Sequence, residues 1–227
     1  TSKSCHFFIK LSCSKTNMKF DELFKNIPEG FRKATEEDKP LVTLTFAQAF
    51  ADYPYPVPSL EETTYTTHLK FFYGTFVDQV KNGLEKGIVL TNEDYSAVII
   101  VTPVEDSCYF DLERYANNMR EYAPEEQVQN MLGIMYHIRD LEKNLKFREG
   151  TLYVEAFAVQ TPRQGQKLGS ALMRMLFEQC KKDKRDIFLF TNTQRNADIY
   201  EHLGYETILF DHSEELNSDV WFMLYKS

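Results

Sequence analysis

The stretch Leu152 to Ser170, LYVEAFAVQTPRQGQKLGS, runs directly into ALMRMLFEQC and limits the fold more than any other part of the chain. Leu152 to Val159 reads as a strand. Leu168, Ala171, Leu172, Met175 and Leu176 then fall at i, i+3, i+4, i+7 and i+8, the spacing of an amphipathic helix. IFLFTN, Ile187 to Asn192, follows as a buried strand. Strand, helix and strand in this order predict a parallel pair joined by a right-handed crossover. The turn between strand and helix holds Gly165 and Gly169, small residues where the main chain can approach a ligand. N–H groups at the start of a helix have no intrahelical partner, and the dipole there favours an anion, so the turn is a seat for phosphate or pyrophosphate. It is neither a P-loop, lacking Gly-Lys-Ser/Thr, nor the three-glycine dinucleotide fingerprint.

The rest of the chain frames this unit. Its 227 residues suffice for one large domain, and 43% apolar residues supply a sizeable core. The 18 Phe and 13 Tyr fit either an aromatic core or an aromatic-lined cleft. A net charge of −8 argues against nucleic acid, which binds through Lys and Arg, and leans toward cationic partners such as amines. Cys5, Cys13, Cys108 and Cys180 form no metal or redox motif, so reduced thiols and a cytoplasmic location are expected. The five histidines have no ligand spacing, and no metal is expected. No apolar run approaches the ~20 residues of a membrane span. Residues 1–17 read as an extension before Met18, or as an edge strand; residues 18–227 read as a single domain.

Gly30 to Ala34 reads as a brief strand, and Thr35 offers an N-cap ahead of Glu36, Glu37 and Asp38. The next helix carries Val42, Phe46, Ala49 and Phe50, and ends at the prolines of DYPYPVP. Ser59 and Glu62 form a capping-box pattern for a long helix bearing Leu69, Phe72, Phe76 and Val80. Two strands follow, Gly87 to Leu90 and Ser96 to Pro103. A helical insertion at about 105–148 is placed to lie over a site as a lid. RNADIYEHLGY reads as a short helix stopped by Gly204, and strands around Glu206 to Phe210 and Val220 to Tyr225 close the chain.

AFAVQTP, QGQKLGSAL and RNADIYEHLGYE, taken together, resemble the GNAT N-acetyltransferase superfamily. FRKATEEDKPLVTLTFAQAFADYP resembles the opening of its puromycin N-acetyltransferase-like group. The similar segments cover the first helix and most of the C-terminal third, and 60–146 is unmatched. The family motif, Arg/Gln-x-x-Gly-x-Gly/Ala, fits Gln164 and Gly169, with Lys167 in place of the first motif glycine.

The resemblance implies an α/β (α+β) fold: a mixed, mostly antiparallel sheet, splayed between its fourth and fifth strands and flanked by helices. It implies acetyl transfer from acetyl-CoA, without a metal, to a primary amine of a small molecule or peptide by direct attack. Phe157, Ala158 and Val159 would offer main-chain groups to the pantetheine arm. Gln164, Gly165, Gln166, Lys167, Leu168, Gly169 and Ser170 would hold the pyrophosphate, Asn196 would bond near the pantetheine, and Tyr200 would be the general acid.

Glu155, a carboxylate inside an apolar strand, alternates to the face of Tyr153 and Phe157. It reads as a general base acting through water, as a seat for the substrate ammonium, or as an ion-paired strand residue. Asp52 and Tyr53 are candidates for the acceptor pocket. A non-catalytic acyl-CoA-binding module and an ATP- or NAD-binding protein are the rival readings. A homodimer is left open, and neither nucleic acid nor membrane is expected as a partner.

Overall fold

The structure, a computed structural model, describes residues 24, 27–51, 53, 60, 63–107 and 111–227. The expectations for residues 1–17, Met18, Cys5, Cys13, Cys108, Asp52, the proline segment and the Ser59/Glu62 capping box lie outside the described residues.

The elements run β1 (Phe31–Lys33), α1 (Lys39–Ala51), α2 (Tyr65–Lys86), β2 (Ile88–Asn92), β3 (Ala97–Pro103), α3 (Leu112–Arg120), α4 (Glu125–Glu142), β4 (Leu152–Val159), α5 (Leu168–Asp183), β5 (Ile187–Thr191), α6 (Gln194–His202), β6 (Glu206–Ser213) and β7 (Ser218–Tyr225). A single helical turn, Val104–Ser107, precedes α3. Seven strands form one sheet in the order β1-β2-β3-β4-β5-β7-β6. Every pairing is antiparallel except β4 with β5. This is the expected α/β fold, with the parallel pair where strand, helix and strand predicted it.

Each face of the sheet has its own core. On one, Phe46, Phe71, Tyr115, Met119 and Met131 of α1 to α4 meet Val98, Ile100, Phe188 and Phe222. On the other, Leu172, Leu176 and Cys180 of α5 meet Ile99, Leu152, Leu189 and Met223. A fully buried Leu such as Leu172 or Leu176 contributes about 1.5–3 kcal/mol over leaving it in water. The described residues of 105–148 include two helices, α3 and α4, divided around Pro124. Both pack into the first core, so α3 and α4 form a wall of the protein.

The long helix α2 opens at Thr64, whose hydroxyl accepts the N–H of Thr67 at 3.3 Å, five residues after the Ser59 expected from the pattern. SLEETTYTT offers several capping hydroxyls in a row, and the pattern alone does not rank them. α5 ends at Lys184 in the left-handed region (φ 53°), and α6 is followed by Gly204 (φ 95°), the expected stop.

Asp38 anchors the entry to α1. Its carboxylate accepts two hydrogen bonds from Arg32, both at 2.7 Å, one from the Tyr95 hydroxyl at 2.7 Å and one from Thr35 N–H at 2.8 Å. The Arg32 guanidinium, ahead of the other contacts, holds this carboxyl well below the usual carboxylate range. Asp38→Asn is expected to cost about 2–3 kcal/mol at neutral pH, because a charge-assisted network loses its acceptor. For a chain of this size that is a fall of about 5–10 °C in Tm by calorimetry. The lowered carboxyl stabilises above the ordinary Asp value and loses that effect as pH falls toward its folded value. Wild type and variant should therefore converge in acid.

Candidate active site

The parallel pairing of β4 and β5 lasts only for Leu152 with Ile187 and Tyr153 with Phe188. Beyond it the strands part. The cause lies on the other edge of β4, where Ile100 of β3 pairs with Ala156 and Val101 with Val154. Glu155 is thus the extra residue of a β-bulge, which bends a strand and raises its twist. The bulge starts at the point where β4 leaves β5, while β5 continues straight along β7.

The bulge corrects the expected alternation. Tyr153 and Glu155 do share a face, but the extra residue inverts the order after it. Ala156 and Ala158 join the first core, and Phe157 and Val159 pack on the second, under α5. It also sorts the main chain. Gln160 N–H donates to Ser96 O of the β3 side at 2.8 Å, so by alternation Ala158 and Ala156 are turned to β3 as well. Phe157 and Val159 present their main-chain groups to the parted side, and Ala158 does not. The Val159 carbonyl there accepts Gln164 Nε2 at 3.2 Å.

The parted strands enclose a cleft of about 780 Å³, lined by Val154 to Phe157 on one side and Leu189 to Asn192 on the other. Glu155 and Tyr200 both line it, with Asn196 and Tyr53.

Glu155 Oε1 accepts Thr102 Oγ1 at 2.7 Å and Asn82 Nδ2 at 3.1 Å, while Oε2 takes no hydrogen bond from the described residues. Gly83 makes this reach possible: a Cβ there would stand 2.5 Å from Ile100 Cγ2, so only glycine lets α2 lie this close to β3. Burial pushes the Glu155 carboxyl up to about 7, against the pull of its two hydrogen bonds and of Lys86, with Asp78 adding to the rise.

Tyr200 is set by α6. The Thr193 hydroxyl caps this helix on Asn196 N–H, Ala197 is fully buried against the core, and Tyr200 lies one turn further. Its ring meets Tyr205 edge-on at 5.5 Å. Its hydroxyl makes no hydrogen bond to the described residues, and burial, then the nearby Tyr53, raises it above the ordinary phenol value. Asn196 Nδ2 donates to Tyr53 Oη at 3.1 Å, so the end of α1 is tied to the start of α6 at the cleft.

The turn is exposed. Gly165 has φ 78° and Lys167 φ 66°, so Lys167 adopts the left-handed conformation that glycine takes most readily, at a cost of roughly 1–2 kcal/mol. The main-chain N–H groups of Gly165 to Ser170 make no hydrogen bond among the described residues. A Cβ on Gly169 would stand 2.9 Å from Phe157 Cζ and 3.4 Å from Val159 Cγ2, so a side chain there would push the Phe157 ring aside. Unbonded donors at a helix start, beside a lysine, are chemically fitted to a diphosphate.

Glu155 and Tyr200 thus line one cleft between the parted strands, and the donor-rich turn follows the end of β4. The turn and Glu155 stand out in the residues themselves, while Tyr200 and the splay came from the resemblance. Asn82 and Thr102, which hold Glu155, were not singled out in the sequence. Asn82 lies on the side of α2 that buries Phe71, Thr75 and Asp78, away from the stripe of Leu69, Phe72, Phe76 and Val80, so the apolar pattern gave no signal for it. Among the described residues no group of His, Cys, Asp or Glu could hold a metal ion, and no helix is long and apolar enough to cross a membrane.

Residues 125–207 match the family model of the acetyltransferase (GNAT) domain. Among solved structures, the C-terminal condensation domain of Ebony, in complex with beta-alanyl-dopamine, aligns at TM-score 0.63 and 8% identity, over 87% of this chain and 98% of that one. The Drosophila melanogaster polyamine N-acetyltransferase that forms N-acetylagmatine aligns at TM-score 0.53 and 16% identity, covering 87% of this chain and 99% of that one. The mosquito arylalkylamine N-acetyltransferase like 5b gives the same four values. The chain thus has the fold of the GNAT acetyltransferases, and its segment 125–207 carries the match to their domain.

Proposed function

We propose that this protein transfers an acetyl group from acetyl-CoA to a primary amine by direct attack. The observation that carries this reading is the convergence of Glu155 and Tyr200 on one cleft between the parted strands. A free amine is the nucleophile, yet an alkylamine near the lysine value is only about 0.04% unprotonated at neutral pH. A carboxylate poised near 7, with Oε2 open, suits removal of that proton. A phenol that burial keeps protonated, with an unbonded hydroxyl at the cleft, is placed to donate to the departing thiolate. The exposed main chain of Phe157 and Val159 fits the pantetheine arm as a substitute strand, and Gly165 to Ser170 fit the diphosphate.

The other end of the cleft is aromatic. Phe50, Phe72 and Phe76 form a cluster with centroids 4.8–6.0 Å apart, with Tyr53 at 5.2 Å from Phe50. Tyr115, Met131 and Met135 complete that wall. It favours an amine carried on an apolar or aromatic body. The relatives' printed substrates, agmatine and arylalkylamines, agree on an amine acceptor. Kinship with the puromycin N-acetyltransferase-like group rests on the AFADYP and RN…YE.LG strings.

A panel of primary amines with acetyl-CoA, read by released thiol, tests the reading. Turnover is expected with at least one aryl- or alkylamine. Coenzyme A binding by calorimetry without turnover on any amine would instead favour a non-catalytic acyl-CoA-binding module, and ATP or NAD binding without coenzyme A would overturn both. Gly169→Val is expected to weaken coenzyme A binding about tenfold or more in the same titration, because its side chain displaces the Phe157 ring at the first turn of α5.

A further inference from the structure

Behind the main cleft lies a second, smaller chamber of about 520 Å³, lined by Gln79, Met135, Ile138, Arg139, Glu142, Tyr153, Glu155 and Phe190. Glu155, Gln79, Met135 and Phe190 line both, so Glu155 stands in the wall between them. The other carboxyl of the second chamber, Glu142 at the end of α4, makes no hydrogen bond or ion pair with the described residues. A carboxyl half-buried without a hydrogen bond is costly and is unusual as a structural device. Near it stands Gln79, whose buried Oε1 also has no hydrogen-bond partner, so the chamber offers acceptors and is fitted to receive a proton or its water carrier.

We propose that Glu142 is the second station of a proton path: Glu155 takes the proton shed by the acceptor ammonium in the main cleft and passes it, through water in the side chamber, to Glu142 and on to solvent. This rests on the acetyl-transfer reading above. The balance is simple. The ammonium gives one proton to Glu155, which passes it to Glu142. The freed amine forms its bond to the acetyl carbon, the carbon–sulfur bond breaks, Tyr200 protonates the thiolate, and the second proton shed by the nitrogen restores the Tyr200 phenol. Glu142 touches no reacting atom and acts through Glu155. Burial pushes Glu142 up to about 7, with the Arg139 cation lowering it and Glu155 raising it, so both carboxyls are raised by the same cause. The charged groups facing Glu155 are Asp78 and Lys86 of α2 and Glu142 of α4; those facing Glu142 are Arg139, one turn back on α4, and Glu155 of β4, with the Tyr153 phenol beside them in the chamber.

The test is Glu142→Gln, with Glu142→Asp as the conservative companion. Glu142→Gln should leave both KM values unchanged, lower kcat about tenfold or more, and move the acid limb of kcat/KM to lower pH, since Glu155 loses a like-charged neighbour. Glu142→Asp should restore most of kcat. Unchanged kcat and acid limb in an active enzyme would overturn the relay and leave the acetyl-transfer reading intact. No transfer by wild type to any amine would overturn that reading and the relay with it. Carboxyl-carbon NMR of the full-length wild type needs no turnover or variant: two coupled titrations are expected for Glu142 and Glu155, and two independent single-site curves overturn the relay.

Discussion

Tyr200→Phe is expected to lower kcat by about 10²–10³ while coenzyme A binds as in wild type. The phenol sits at the cleft on α6, held by the Thr193 cap and by Ala197, and its ring packs on Tyr205. Phenylalanine keeps the ring and this packing, so folding and cofactor affinity have no reason to change. What disappears is the one proton that the hydroxyl offers to a thiolate. Stopped-flow release of thiol with calorimetric coenzyme A binding separates the two quantities. Equal loss of binding and turnover would mean that Tyr200 is a packing residue.

Glu155→Gln is the second large effect. In wild type kcat/KM should rise with pH through about 7, because the carboxyl accepts a proton only once its own has left. The Gln variant should lose about 10²–10³ in kcat/KM at pH 8 and lose this limb of the profile. Its side chain can still accept the bonds from Asn82 and Thr102, so the bulge survives. Retention of the limb would assign it to another group.

These two residues were legible for different reasons. Tyr200 was singled out by the resemblance of RNADIYEHLGYE to the GNAT superfamily, while the residues themselves gave only the short helix and its glycine stop. Glu155 stood out as a charge in an apolar strand, but its surroundings were misjudged. Strict alternation paired it with Phe157, and only the pairing of Ile100 with Ala156 reveals the inserted residue. A bulge leaves no mark in a hydrophobic pattern that reads VEAFAV on either register. Lys167 was legible as a departure from the motif, but its left-handed backbone was not, since that depends on the turn's closure. Glu142 lies in RDLEKN, a string that reads as solvated surface. Its half-buried position depends on how α4 crosses β4, which one sequence does not encode locally. A helix between two strands did not by itself fix their order: α5 joins the neighbours β4 and β5, whereas α6 joins β5 to β6 with β7 between them.

The parting of β4 from β5 has a consequence for what the sheet attracts. Unpaired strand edges ordinarily lie at the rims, where a foreign polypeptide can add itself and seed aggregation. Here an unpaired edge sits in the middle, roofed by α5 and floored by α1 and α2. Covered on both faces, that edge is shielded from the lateral pairing by which exposed strands aggregate.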